Sequence, residues 1–289
     1  MRPLITAWDQ LWFSPLDLRV PAALRIGYGL LGLWSYAGLW PTLAWSLADG
    51  GLGVGVGRSG PDLLNLLANP LWSLTSLGEV QAMFLLWMAC FVALVLGVGG
   101  RLPMLGAWLG IITLGERNPL LIDGSDGVLR VLGLWMLFLP LNAVWSLSRP
   151  DPAAAQVEHS VWPLRMIQLQ VCIIYVKTGL IKALYPSWQE GTAVFYAMAS
   201  PKYWRFPMED ILASPAFQGF TVLATYATLV FELGFPLVFV PRLRRLWLLL
   251  GLGLHLGVFA FLSLGAFSEV ILWSYLAFVV FPPQRRPSP

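Results

Sequence analysis

Cysteine and histidine are almost missing from this 289-residue chain: there are two of each, Cys90, Cys172, His159 and His255. Two cysteines inside apolar runs support neither a disulfide framework nor a CxxC redox pair, and there they serve as small hydrophobic residues. With no HxxxH, HExxH or CxxC spacing, no metal is expected. Charge is scarce too, at 11% of residues with a net of +3, which argues against a nucleic-acid partner. Lysine occurs only as Lys177, Lys182 and Lys202, all within one short region. The lack of a GxSxG elbow or Walker loop leaves hydrolase and ATPase classes without a nucleophile or a phosphate cradle. The glycine-rich run Gly51-Leu-Gly-Val-Gly-Val-Gly57 lacks the strand and helix that a dinucleotide fingerprint requires, and reads as loop. A cleaved signal peptide is not expected, because Asp9 and Asp17 interrupt the apolar residues of segment 1–18. No internal repeat is apparent.

Hydrophobic residues dominate instead, at 57% of the chain, with a mean hydropathy of +0.71. That composition predicts an all-α polytopic membrane protein with about eight transmembrane helices and short interfacial helices, in a single domain over 1–289. Trp8, Trp12 and Phe13, with Asp9 and Asp17, read as an amphipathic segment at the interface. The expected spans are 21–46, 80–98, 102–114, 127–147, 162–184, 217–240, 246–264 and 266–281. The third is short against the roughly 20 residues of a full crossing, so Arg117 and Asn118 are expected below the surface. Segments 49–78 and 185–215 read as loops with short helices, and 148–159 as a polar linker that carries His159. With eight spans, Arg2, Arg101, Arg149, the Arg242–Arg245 cluster and Arg285–Arg286 share one face, which the positive-inside rule assigns to the cytoplasm. Both termini are then cytoplasmic, while 117–126, 185–215 and 263–269 face outward.

The candidate site centres on 172–191. Gln168, Cys172, Tyr175, Thr178 and Lys182 share one helical face as a polar stripe. A desolvated amine favours its neutral form and becomes a usable base, and ionisable groups within membranes are functional candidates. Lys177 points elsewhere and reads as a snorkelling cation. Arg117, Asp126 and Arg130 admit two readings, a mutual salt-bridge network or substrate contacts, and Asn118 lies beside them. Glu232, inside its span, needs a partner such as Arg25 or His255. His255 suits either core packing or a hydrogen bond to a quinone oxygen.

Several stretches look like a known family. Gly179-Leu-Ile-Lys-Ala-Leu-Tyr-Pro-Ser-Trp-Gln-Glu-Gly191 resembles the Gly-x-x-Lys and Trp-x-x-Gly segment of the vitamin K-dependent gamma-glutamyl carboxylases and their bacterial HTTM-domain relatives. Leu254-His255 followed by Ser263–Leu272 is similar to a second stretch of that family. The block from Glu116-Arg-Asn-Pro119 to Arg130 with Trp145-Ser146, and the N-terminal Trp/Phe, Pro15, Asp17 and Leu24-Arg25-Ile26 pattern, resemble the HTTM signature. The resemblance implies Lys182 as the base that deprotonates a vitamin K-like hydroquinone, with His255 in the quinone pocket. Arg117, Asn118, Asp126, Arg130, Tyr175, Trp188 and Glu232 become candidates for substrate or cofactor binding. Two departures stand out. Ser125-Asp126 occupies the place of a carboxylase histidine, and a large lumenal domain like that of the carboxylases is not expected after the eighth span.

The expected function is therefore that of a vitamin K-dependent carboxylase-like membrane enzyme using a quinone/hydroquinone cofactor. The alternative is a non-catalytic membrane protein that binds a lipid or peptide and works with a partner protein in peptide maturation. Either way the partners are membrane lipid and a small molecule or peptide, and the location is the bacterial inner membrane with the site opening to the external face.

Overall fold

The computed structural model describes residues 2–52, 54, 76–148 and 159–281. Residues 53 and 55–57 of the glycine-rich run, the linker stretch 149–158 and Arg285–Arg286 lie outside the described residues. Among the described residues the regular structure is helical, with two isolated bridges, Pro15 to Ser160 and Trp204 to Leu262, and no strand. The protein is an all-α polytopic membrane protein. Its chain divides into two units, Met1–Gln168 with Trp273–Pro289, and Leu169–Leu272.

The first unit begins with α1 (Arg2–Phe13), which exposes Trp8, Leu11 and Phe13 as an interfacial helix does. Asp17 then turns the chain into α2 (Arg19–Tyr36): it accepts the Arg19 backbone N–H at 3.0 Å and pairs with the Arg19 guanidinium at 2.6 Å. That side-chain hydrogen bond holds the Asp17 carboxyl below its ordinary range. A 3-10 turn, Ala37–Thr42, leads into the short α3 (Leu43–Ser46).

Helix α4 (Leu77–Leu96) starts three residues before the expected second span, because Ser76 and Glu79 form a capping box that satisfies the first free N–H groups. Gly97 ends it with φ 71°, a left-handed cap that costs glycine nothing. Ser76→Ala should lower stability by about 1 kcal/mol in detergent-solubilised melts. Helix α2 lies close against α4, where the Phe91 ring fills the space a Gly32 side chain would take. Helix α5 (Leu102–Arg117) returns along α4, and Trp87 covers Gly110 while its Nε1 donates to Ala107 O at 3.0 Å.

Helix α6 (Gly124–Met136) is capped by a second box, Asp123 with Asp126. Its 13 residues rise about 20 Å, well short of a crossing. The fourth expected span thus ends about ten residues early, at turns before and after Pro140, whose ring disfavours continued helix.

Helix α7 (Trp162–Ala183) runs from the first unit into the second. The second unit continues with the short α8 (Pro186–Gln189), α9 (Ala193–Ala199) and α10 (Glu209–Leu212), then α11 (Pro215–Leu233) and α12 (Pro241–Phe261). The sixth expected span is divided at Gly234-Phe-Pro236, where α11 gives way to a 3-10 turn, Phe235–Phe239. Helix α13 (Phe267–Ser274) extends through a 3-10 turn to Phe278. Among the described residues four helices, α4, α7, α11 and α12, are long and apolar enough to cross a membrane. The other four expected spans hold shorter or less apolar helices of 18, 16, 13 and 8 residues.

Candidate functional site

Gly179 sets up the centre of the second unit. A side chain there would meet Glu232 Cβ and Leu233 Cδ2, each at 3.1 Å, so its absence lets α7 lie close to α11. On that face of α7, Tyr175, Thr178 and Lys182 stand at i, i+3 and i+7. The Lys182 ammonium pairs with Glu232 Oε1, and Thr178 Oγ1 donates to the other carboxylate oxygen at 3.2 Å. Glu232 is 7% exposed at its side chain and Lys182 29%. The Lys182 amine also sits 5.0 Å above the ring of Trp188, the third residue of α8. Glu232 therefore finds its partner in Lys182, neither Arg25 nor His255. Lys177 is exposed on another side of the helix.

One turn before Thr178, the Tyr175 hydroxyl and His255 Nε2 share a hydrogen bond of 2.7 Å. An aromatic wall shields it: Tyr175 stacks on Phe235 with centroids 4.2 Å apart and meets Phe231 edge-on at 5.2 Å, while His255 lies 5.8 Å from Phe267. Both residues are buried, at 3% and 4% exposure. The sequence stripe is thus realised from Cys172 to Lys182, whereas Gln168 belongs to the first unit and donates to Ala277 O at 2.6 Å.

Sequence reasoning passed over a second polar stripe on α11. Thr221, Thr225, Thr228 and Glu232 recur at i, i+4, i+7 and i+11 and are all buried. Each threonine hydroxyl donates to a carbonyl one turn back, and Thr225 Oγ1 also accepts the Val194 N–H at 3.1 Å, tying α9 to α11. The spacing of those threonines within an apolar run was the available signal.

The remaining candidates belong to the first unit. Arg117 and Asn118 are buried within the protein, at 5% and 1% exposure. Arg117 Nε donates to Leu47 O, and its Nη2 lies 3.5 Å from Asp49. The Asn118 amide donates to Ser46 O at 2.7 Å and Leu52 O at 2.8 Å, so the two side chains clamp the chain after α3. Asp126 accepts from the Tyr36 hydroxyl at 2.5 Å and from the Asp123 N–H at 2.7 Å. Arg130 pairs with Glu116 at 3.5 Å. Asp126 therefore joins neither arginine, and the three charges have separate partners rather than one network.

The geometry thus places two polar pairs in the second unit, Lys182 with Glu232 and Tyr175 with His255, in a setting apolar enough to strengthen both. An amine beside a carboxylate can bind a polar group by exchanging partners or pass a proton between the two, and Trp188 offers a flat face next to it. No family model matches the chain, and no solved structure matches it. Among curated proteins, the sporulation-delaying protein SdpB of Bacillus subtilis (strain 168) is similar, 25% identical over 151 residues. Those residues make up 49% of this chain and 46% of SdpB, so the chain spans about half the length of the curated relative it matches.

Proposed function

We propose that this protein is a non-catalytic membrane component of secreted-peptide maturation. In this reading it binds a peptide or lipid at the centre formed by Lys182, Glu232, Tyr175, His255 and Trp188, and works with a partner protein. The observation that carries the reading is the Lys182–Glu232 ion pair, which commits the chain's best candidate base to a carboxylate and makes the pair a brace within the binding centre. The partial likeness to a sporulation-delaying protein supports a bacterial setting. The arginine distribution supports an inner-membrane location with cytoplasmic termini and an outward-facing centre.

A second reading is favoured by one observation, that Lys182 keeps 29% of its side chain exposed beside Trp188. It is the carboxylase-like enzyme implied by the resemblance to the HTTM relatives. These residues fit a hydroquinone to the extent that Trp188 offers a ring face and Lys182 a reachable amine. The bound cofactor would supply an acidic phenolic proton and reducing electrons. Lys182 would accept that proton, and Glu232 would hold the ammonium so formed.

Exchanging the pair, Lys182→Glu with Glu232→Lys, separates the two. Peptide output from cells that depend on this protein should survive the exchange if the pair is a brace. A general base moved to another helix should instead lose about 10²- to 10⁴-fold in rate. Loss of that size with normal membrane levels of the exchanged protein would overturn the first reading in favour of the second.

A further inference from the structure

Lys177 is a cation on α7 that the centre described above does not use. The helix continues beyond it to Ala183, about 9 Å at the helical rise per residue, so Lys177 stands inside the apolar run and not at its edge. It is exposed, and no carboxylate among the described residues pairs with it. It shares its side of α7 with Ile173 and Leu180 and, just past the helix end, with Leu184, exposed at 46%, 56% and 77%. Steps of four, three and four residues are those of a heptad seam, along which a helix receives one neighbour.

Ionisable groups inside membranes almost always face a bundle interior and find a partner there. Lys177 is exposed instead, and the side of α7 that carries Thr178 and Lys182 is already taken by α11. The interior that Lys177 needs is therefore completed by a further helix. One polar residue among the apolar positions of a seam sets register and partner choice, at some cost in stability. A second copy of this chain does not supply the missing charge. Among the described residues, the carboxylates in the four long apolar helices are Glu79 and Glu232. Glu79 closes the capping box of α4, and Glu232 holds Lys182.

We infer that the seam of Ile173, Lys177, Leu180 and Leu184 docks a transmembrane helix of another protein, one that carries an aspartate or glutamate at the depth of Lys177. The seam offers a surface to the partner protein of the proposed function. It rests on that reading for the partner's role and not for the binding itself.

The test places the full chain in phosphatidylcholine nanodiscs with synthetic leucine–alanine transmembrane peptides as long as α7. Each peptide bears aspartate, leucine or lysine at the depth of Lys177, and native mass spectrometry reads which is retained. Wild type should retain the aspartate peptide over the leucine peptide by about tenfold, the ratio for one interhelical polar contact in a membrane. Lys177→Met should bring the two to parity, and Lys177→Arg should keep the preference. Lys177→Glu should transfer the preference to the lysine peptide, a gain that a misfolded variant cannot give. The double variant Lys182→Met with Glu232→Leu should still prefer the aspartate peptide. Loss of the preference there would move the peptide to the Lys182 centre and overturn the seam, whereas loss of peptide output on exchanging that pair bears on the proposed function alone. Equal retention of the aspartate and leucine peptides overturns the proposal. So does a preference abolished by an equal amount of phosphatidylglycerol in the nanodisc, which would give Lys177 to a lipid headgroup. A dimer of the chain in peptide-free nanodiscs that Lys177→Met dissolves would assign the seam to a second copy and overturn it too.

Discussion

Arg25→Met is expected to destabilise the first unit by on the order of 4 kcal/mol or more, taking about 1–3 kcal/mol for each buried carbonyl left without a donor. Arg25 is fully buried on α2. Its Nε donates to Leu141 O at 2.9 Å, Nη1 to Leu94 O and to Val95 O at 3.3 Å, and Nη2 to Trp145 O at 2.5 Å. Leu94 and Val95 lie in the last turn of α4, where helix carbonyls lack intrahelical partners and the helix dipole favours a cation. Trp145 holds φ 52°, an unfavourable left-handed conformation for a tryptophan, and the bond from Arg25 to its carbonyl helps to retain it. Methionine fills much of the same volume but donates nothing. In a membrane no water replaces the missing donors. Arg25→Lys should rescue only part of the loss, because a compact ammonium cannot spread over carbonyls from two segments as the guanidinium fork does. Denaturation of the detergent-solubilised protein would measure both variants, and a midpoint for Arg25→Met equal to wild type would refute the clamp.

This clamp and the Lys182 centre differ in how far the chain alone discloses them. Hydropathy located helices in all eight expected places, because burial in lipid demands long apolar runs whatever their neighbours are. It also marked Lys182 and Glu232, since a charge inside such a run stands out. It could not say that they meet, because pairing depends on how α7 and α11 approach, and that is set by a missing side chain at Gly179. Arg25 went further astray as a proposed partner of Glu232. Its true acceptors are backbone carbonyls, which carry no residue identity and leave no trace in sequence. Arg117, Asp126 and Arg130 misled through proximity in the chain: they flank a tight turn between α5 and α6, yet each reaches a different neighbour. The helix ends were legible in principle, as Ser76-Leu-Gly-Glu79 is a capping-box pattern just before an apolar run.

Removing one member of the Lys182–Glu232 pair is expected to cost unequally. Lys182→Met leaves the carboxylate of Glu232, 7% exposed, with the neutral Thr178 hydroxyl as a donor in place of a cation, and breaking a buried pair in this way costs about 3–5 kcal/mol. Glu232→Leu leaves Lys182, whose flexible stem and 29% exposure allow the ammonium to extend toward the interface and recover solvent. That variant should lose far less, about 1 kcal/mol, near the value of an exposed ion pair. The double variant Lys182→Met with Glu232→Leu removes both charges and both desolvation penalties, so it should match or exceed wild type in stability. The coupling in this double-mutant cycle therefore comes out large and favourable between the two charges, even though the pair as a whole adds little to folding. Equal losses in the two single variants, or a double variant as unstable as Lys182→Met, would show that the pair does not hold α7 to α11. If the double variant is stable but cannot sustain peptide output, the charges are retained for recognition, and the site acts through the pair itself.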